Sequence, residues 1–213
     1  ICLAINYMAH SDEAEKYSAA AFATKHENAI YFSKRVTRAV PDGGPIEAHT
    51  DLVKKLDYEC ELAVVLGRDA RDVPAGQTRD YIFGYTILND VSARDVQTAH
   101  KQWYFGKSLD GFTPIGPCIV TADAFADYPP RLGIRSFVNG EKRQDSNTAL
   151  QIFDIDHVIA ELSQGMTLKA GTIIATGTPA GVGMGMDPPQ FLKPGDVVRC
   201  EIDGIGTLTN PVK

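Results

Sequence analysis

A chain of 213 residues can bury a sizeable core as one large domain or two small ones, and its apolar (44%) and charged (23%) fractions are those of an ordinary globular protein. A net charge of −6 without any run of Lys or Arg argues against nucleic acid or an anionic membrane as partner. No stretch has the length of apolar sequence that spans a bilayer, the start "ICLAINYMAH" lacks the basic region of a signal peptide, and the four cysteines form no CxxC pair. Cys2, Cys60, Cys118 and Cys200 therefore read as reduced, buried thiols of a cytoplasmic protein, and a zinc site is poorly supported. The first residue is not Met, so an N-terminal segment is either absent or lies ahead of residue 1.

In chain order, "ICLAI" reads as a short buried strand and "NYMAHSDEAEKYSAAAFATKHE" as a polar helix that loosens into a mobile loop. "AIYFSK" is a second apolar run, and Pro41, Gly43, Gly44 and Pro45 mark turns before the next element. "DYECELAVVLG", "YIFGYTILND" and "GPCIVTA" are strands rich in β-branched and aromatic residues. "VSARDVQTAHKQW", between the last two, suits a short helix. Asn139-Gly140 in "RSFVNGEKRQD" predicts a tight hairpin. "IFDIDHVIAELSQG" is an amphipathic helix with Ile155, Val158, Ile159 and Leu162 on one stripe and Gly165 at its C-terminal end. "TIIATG", "DVVRCEID" and "GTLTNPV" finish the chain as strands, with Asp203-Gly204 offering another turn. The pattern predicts one α+β, mostly β domain over residues 1–213, with no internal repeat.

The alternation of a strand puts Glu59 and Glu61 on one face of a segment whose other face is Tyr58, Cys60, Leu62 and Val64. Two ionised carboxylates side by side in the interior are opposed by desolvation and by each other, and a hard divalent cation removes both penalties. Asp90, where "TILND" leaves its strand, is the best third carboxylate. Three acidic oxygens plus waters suit octahedral Mg²⁺ or Mn²⁺. Taken singly, each acid is more simply a solvated or salt-bridged strand residue. His10 and Glu13 share a helix face, the spacing that lets a carboxylate orient a general base, although two surface residues of a polar helix would look the same. Lys107 sits in a Gly/Pro-bounded loop, where pairing with Asp110 is the default and binding an anionic substrate the alternative. The glycine-rich turn "ATGTPAGVGMG" can offer backbone N–H groups to an anion, but lacks the Lys-Ser/Thr ending of a phosphate loop. His26, His49, His100 and His157 have no comparable context.

Together these stretches resemble the fumarylacetoacetate hydrolase family along nearly the whole chain. The likeness is carried by "NYMAH", "YFSK", "DYECELAVVLG", "GYTILNDVSARDVQ", "GKSLDGFTPIGP", "VNGEKRQDSNT", "LKAGTIIATGTPAGVG", "FLKPGDVV" and "GIGTLTN". The early "NY..H" is most similar to the acylpyruvate hydrolase and oxaloacetate decarboxylase branch. The resemblance implies a mixed β-roll or sandwich of the family's C-terminal catalytic domain type, with a few short flanking helices, usually in a homodimer. It implies metal ligands at Glu59, Glu61 and Asp90, holding Mg²⁺ or Mn²⁺, with Ca²⁺ able to stand in for them in crystals. It further implies a His10–Glu13 base pair, Lys107 as a catalytic lysine, and substrate contacts from Gln97, Gly177 and Thr178. The activity implied is metal-dependent hydrolysis of a C–C bond in a short β-diketo acid such as an acylpyruvate or fumarylpyruvate. Water activated by His10 and Glu13 would attack the distal carbonyl, and an enolate would leave. Oxaloacetate decarboxylation and isomerisation of a 2-hydroxyhepta-2,4-diene-1,7-dioate in aromatic catabolism are the alternatives on the same site. A glycosidase using Glu59 and Glu61, or a non-catalytic relative that only binds metal and keto acid, are the readings from further away. Two departures stand out: residues 1–213 hold no counterpart of the small N-terminal domain that many relatives carry, which is either absent or lies ahead of residue 1, and "SAAAFATKHENAI", expected to form the substrate lid, lacks prolines that many members carry.

Overall fold

The computed structural model describes residues 1–22, 26–100 and 102–213. In chain order its elements are β1 (Cys2–Ala4), α1 (Met8–Phe22), β2 (Ile30–Phe32), β3 (Leu56–Asp57), β4 (Cys60–Leu66) and β5 (Ile82–Asn89). They continue with β6 (Ser92–Ala93), α2 (Arg94–Ala99), α3 (Tyr104–Lys107), β7 (Ile115–Thr121), β8 (Gly133–Val138) and β9 (Glu141–Asn147). The last are α4 (Ile155–Leu162), β10 (Ile173–Ala175), β11 (Val197–Ile202) and β12 (Gly206–Pro211). The fold is mostly β with a few short helices, as the sequence predicts.

The strands form a six-stranded sheet in the order β2-β1-β10-β4-β5-β7, a four-stranded sheet in the order β12-β11-β8-β9, and the two-stranded pair β3-β6. The larger sheet is mixed because β1 runs parallel to β10, while β4 pairs antiparallel with both β10 and β5. Alternation on β4 then decides where the core lies. Cys60, Leu62, Val64 and Leu66 join Ile134 and Val138 of β8, Val198, Cys200 and Ile202 of β11, and Leu208 of β12 in the main hydrophobic core. The opposite face packs Ala63 with Cys2, Leu88 and Ala175 in a smaller cluster.

Local signals are realised where their mechanism is local. Asn139 and Gly140 both adopt positive φ (51° and 84°) and join β8 to β9, the backbone a two-residue hairpin loop requires. Asp154 caps α4 by accepting the His157 N–H at 2.8 Å, and Ile155, Val158 and Ile159 are buried. Gly165 has φ 69° just beyond that helix. Helix α1 is interrupted at Ser18 (φ −160°, ψ 93°), where the expected loosening begins. Residues 23–25 of the expected lid lie outside the described residues. Cys2, Cys60 and Cys200 are buried thiols, but Cys118 is exposed on β7, a strand with solvent on both faces. Among the described residues, no helix is long and apolar enough to cross a membrane.

Candidate active site

The sequence suggests one continuous strand through both glutamates; the structure breaks it. β3 ends at Asp57 and β4 starts at Cys60, leaving Glu59 in the gap. The Asn89 side chain accepts the Glu59 N–H at 2.9 Å, and the Asp90 N–H donates to the Glu59 carbonyl at 2.8 Å. The β4–β5 register, with Cys60 opposite Asn89, thus brings Asp90 beside the glutamates. One oxygen each from Glu59, Glu61 and Asp90 lie within 4.8 Å of one another, and all three residues are buried.

Charge is unevenly compensated across this trio. Burial opposes ionisation of Glu59, but the Lys107 ammonium and Arg94 guanidinium outweigh it and hold the carboxyl down at about 2. Glu61 goes the other way: burial, then the neighbouring Asp90 and Glu59 charges, push it well above the usual carboxylate range. Its Oε2 accepts the Gly177 N–H at 2.8 Å, whereas its Oε1 is buried without a hydrogen-bond partner. An unpartnered carboxylate oxygen within a cluster of three acids fits a hard divalent cation.

Among the described residues, three cations surround the acids. Lys107 Nζ reaches Glu59 Oε2 at 2.6 Å and Asp90 Oδ2 at 2.8 Å. It lies at the end of the short α3 rather than in an open loop, and its expected pairing with Asp110 does not form because burial leaves it only the site carboxylates. Lys34 Nζ donates to Asp90 Oδ1 at 2.5 Å and to the Phe112 carbonyl at 2.7 Å. Arg94 bridges Glu59 Oε1 (2.7 Å) and Asp57 Oδ2 (2.9 Å). Lys34, Asp57 and Arg94 were not singled out from sequence. The available signal was a charged side chain inside or next to a strand-like run ("YFSK", "LDYECEL", "SARD"), which must be paired if buried.

The glycine-rich turn does cradle anions, and the anions are this chain's own carboxylates. Gly177 N–H goes to Glu61, Gly181 N–H to Glu13 Oε1 at 2.8 Å, and Gly183 and Met184 N–H to the two oxygens of Asp57 at 2.7 and 3.0 Å. Gly177 has φ 90°, and a Cβ there would come within 2.7 Å of Asn6 Cβ, so the close approach requires glycine. Glu13, so fixed, points its other oxygen at His10 Nδ1, 3.4 Å away. Thr178 Oγ1 donates to the Cys60 carbonyl at 3.0 Å and accepts from Gln144 at 2.7 Å, and Gln97 Oε1 accepts from Arg94 at 3.1 Å.

His10, Glu59, Arg94, Gln97, Lys107 and Thr178 line one cavity. Glu61 and Asp90 are fully buried beside them and do not form its wall, which leaves Glu61 poorly disposed to attack a sugar as a glycosidase nucleophile. The sequence model of the fumarylacetoacetate (FAA) hydrolase C-terminal domain matches residues 1–213. The chain belongs to the fumarylacetoacetate hydrolase family. It is 43% identical to the oxaloacetate tautomerase YisK of Bacillus subtilis over 212 residues, covering 100% of this chain and 68% of YisK. An uncharacterized Staphylococcus saprophyticus protein is 48% identical over 179 residues, which are 84% of this chain and 59% of that protein, so the match spans less than two thirds of that relative. The fumarylacetoacetate hydrolase of Exiguobacterium antarcticum superimposes with a TM-score of 0.88 at 46% identity, covering 100% of this chain and 73% of that one. A 2-hydroxyhepta-2,4-diene-1,7-dioate isomerase from Mycobacterium marinum superimposes with a TM-score of 0.80 at 39% identity, covering 99% and 72%.

Proposed function

We propose that this chain is a divalent-metal-dependent hydrolase that cleaves a C–C bond in a short β-diketo acid of the acylpyruvate type. Glu59, Glu61 and Asp90 would hold Mg²⁺ or Mn²⁺. The observation that carries this is the buried trio with an unpartnered Glu61 oxygen, next to a cavity lined by Lys107 and the Glu13-oriented His10. Bound there, the ion would supply Lewis-acid polarisation of the substrate's 2-oxo group.

The remaining work falls to side chains. With Nδ1 held by Glu13, His10 keeps Nε2 as the base that takes a proton from water as the water oxygen bonds to the distal carbonyl. When the C–C bond breaks, its electron pair passes to the keto-acid fragment as an enolate. His10 then returns the proton. Lys107, buried and cationic, stabilises the developing oxyanion. Gln97 and Thr178, which line the cavity, position the carboxylate end of the substrate, and Gly177, expected beside them, instead holds Glu61 through its N–H.

The likeness to YisK along the whole of this chain favours a second reading, in which His10 only shuttles a proton between carbon and oxygen of an oxaloacetate-like acid. Decarboxylation of oxaloacetate and isomerisation of a dioate would draw on the same residues. Assays with Mg²⁺ or Mn²⁺ against acylpyruvates, oxaloacetate and hydroxymuconate-type diacids separate these reactions. Turnover that survives EDTA unchanged would sink all of them. The same reading makes the working form a cytoplasmic homodimer, whose mass gel filtration with light scattering checks.

A further inference from the structure

The cavity is charged at one end and apolar at the other. Phe32 lies under the Lys107 ammonium, with Nζ 5.5 Å from the ring centroid. Trp103 meets Phe32 edge-on at 5.6 Å and packs against Phe22 at 5.9 Å, so the three rings form one wall leading away from the carboxylates. Ile5 and Met184, clustered with Phe22, extend it.

Among the described residues that line the cavity, the permanent cations are Arg94 and Lys107, and both are engaged with site carboxylates. Lys55 sits over the rings of Tyr17 and Phe191 at the rim of the same cluster, but it is exposed and not part of the lining. A carboxylate pressed against the wall would lose its water and, among the described residues, meet no unpaired cation of the lining, whereas a hydrocarbon group would gain from burial.

We infer that the Phe22–Trp103–Phe32 wall is the specificity surface for the far arm of the keto acid, accepting an apolar acyl arm and rejecting one that ends in a carboxylate. The inference rests on the reading of the charged end as a keto-acid site. It separates this chain from a preference for the 1,7-dioate named for its Mycobacterium marinum relative.

Trp103 is the single tryptophan of the chain, so intrinsic fluorescence reports directly on the wall. In the presence of Mg²⁺, the test titrates 2-oxo acids of equal length that end in a methyl group or in a carboxylate. Methyl-ended ligands should perturb Trp103 emission and bind at least tenfold more tightly, with each added methylene improving affinity roughly fourfold. Trp103→Arg, followed by calorimetry, should narrow or reverse that ratio, and Trp103→Leu should keep its sign. Equal or tighter binding of the carboxylate-ended series, or binding that leaves Trp103 emission unchanged, overturns the wall while leaving the keto-acid site standing. Absence of binding by both series, together with no turnover of any keto acid, overturns the site and the wall together.

Discussion

The two faces of β4 are equally buried and chemically opposite. On one, Cys60, Leu62, Val64 and Leu66 meet the four-stranded sheet in the main hydrophobic core. On the other, Ala63 packs with Cys2, Leu88 and Ala175, and Glu61 joins a cluster of buried acids and bases. The first face stabilises the fold by removing hydrocarbon from water. The second carries charges whose desolvation the fold must offset with Lys34, Lys107, Arg94 and backbone N–H groups. One strand therefore anchors the domain with one side and holds a charged cluster in place with the other.

The sharpest way to break that contrast is Glu61→Gln. It keeps an oxygen for the Gly177 N–H, yet should abolish tight Mg²⁺ binding in calorimetry and all metal-dependent turnover, with the melting temperature of the metal-free protein unchanged or higher. Tight Mg²⁺ binding by this variant would remove Glu61 from the metal set. Lys107→Ala should lower kcat by about 10²–10³-fold through loss of oxyanion stabilisation. A fall confined to KM would instead make Lys107 a substrate-binding group. On the apolar face, Leu62→Ala should cost about 2–5 kcal/mol in urea unfolding and leave Mg²⁺ affinity of the folded protein nearly unchanged. A large change in that affinity would mean that the two faces are mechanically coupled.

The smallest effect is on protons. Glu61 has its folded value raised, so the metal-free protein holds a proton there over a pH range in which the unfolded chain has lost it. That contribution to stability is present at low pH and is lost as pH rises through the folded value. Mg²⁺ bound at Glu61 as proposed would displace that proton, so binding should release protons into a weakly buffered solution and tighten with rising pH until Glu61 is ionised. Affinity that is flat or falls with pH would contradict the raised value.

Much of this was legible from local pattern. The Asn139-Gly140 hairpin, the stripe and cap of α4 and the strand character of the apolar runs each depend on neighbours within a few residues. The Glu59, Glu61 and Asp90 grouping could also be anticipated, since two acids in an apolar run require a counter-charge and Asp90 ends the next strand. The insertion of β10 between β1 and β4 could not, because it joins segments more than a hundred residues apart.

Side-chain partnerships divide in the same way. The types of residue in the acidic cluster and around the proposed base, and their rough spacing, were determined by the sequence alone, because each demand (charge neutralisation, a turn tolerant of positive φ, an oriented histidine) attaches to a residue type. Which cation meets which acid was decided only by the tertiary structure. Lys107 left Asp110 for Glu59 and Asp90, Lys34 came to Asp90 from 56 residues away, and the glycine turn gave its N–H groups to Glu13, Asp57 and Glu61. The reason is physical: a buried charge takes whichever opposite charge or N–H donor packing brings within about 3 Å, and separation along the chain does not enter that choice.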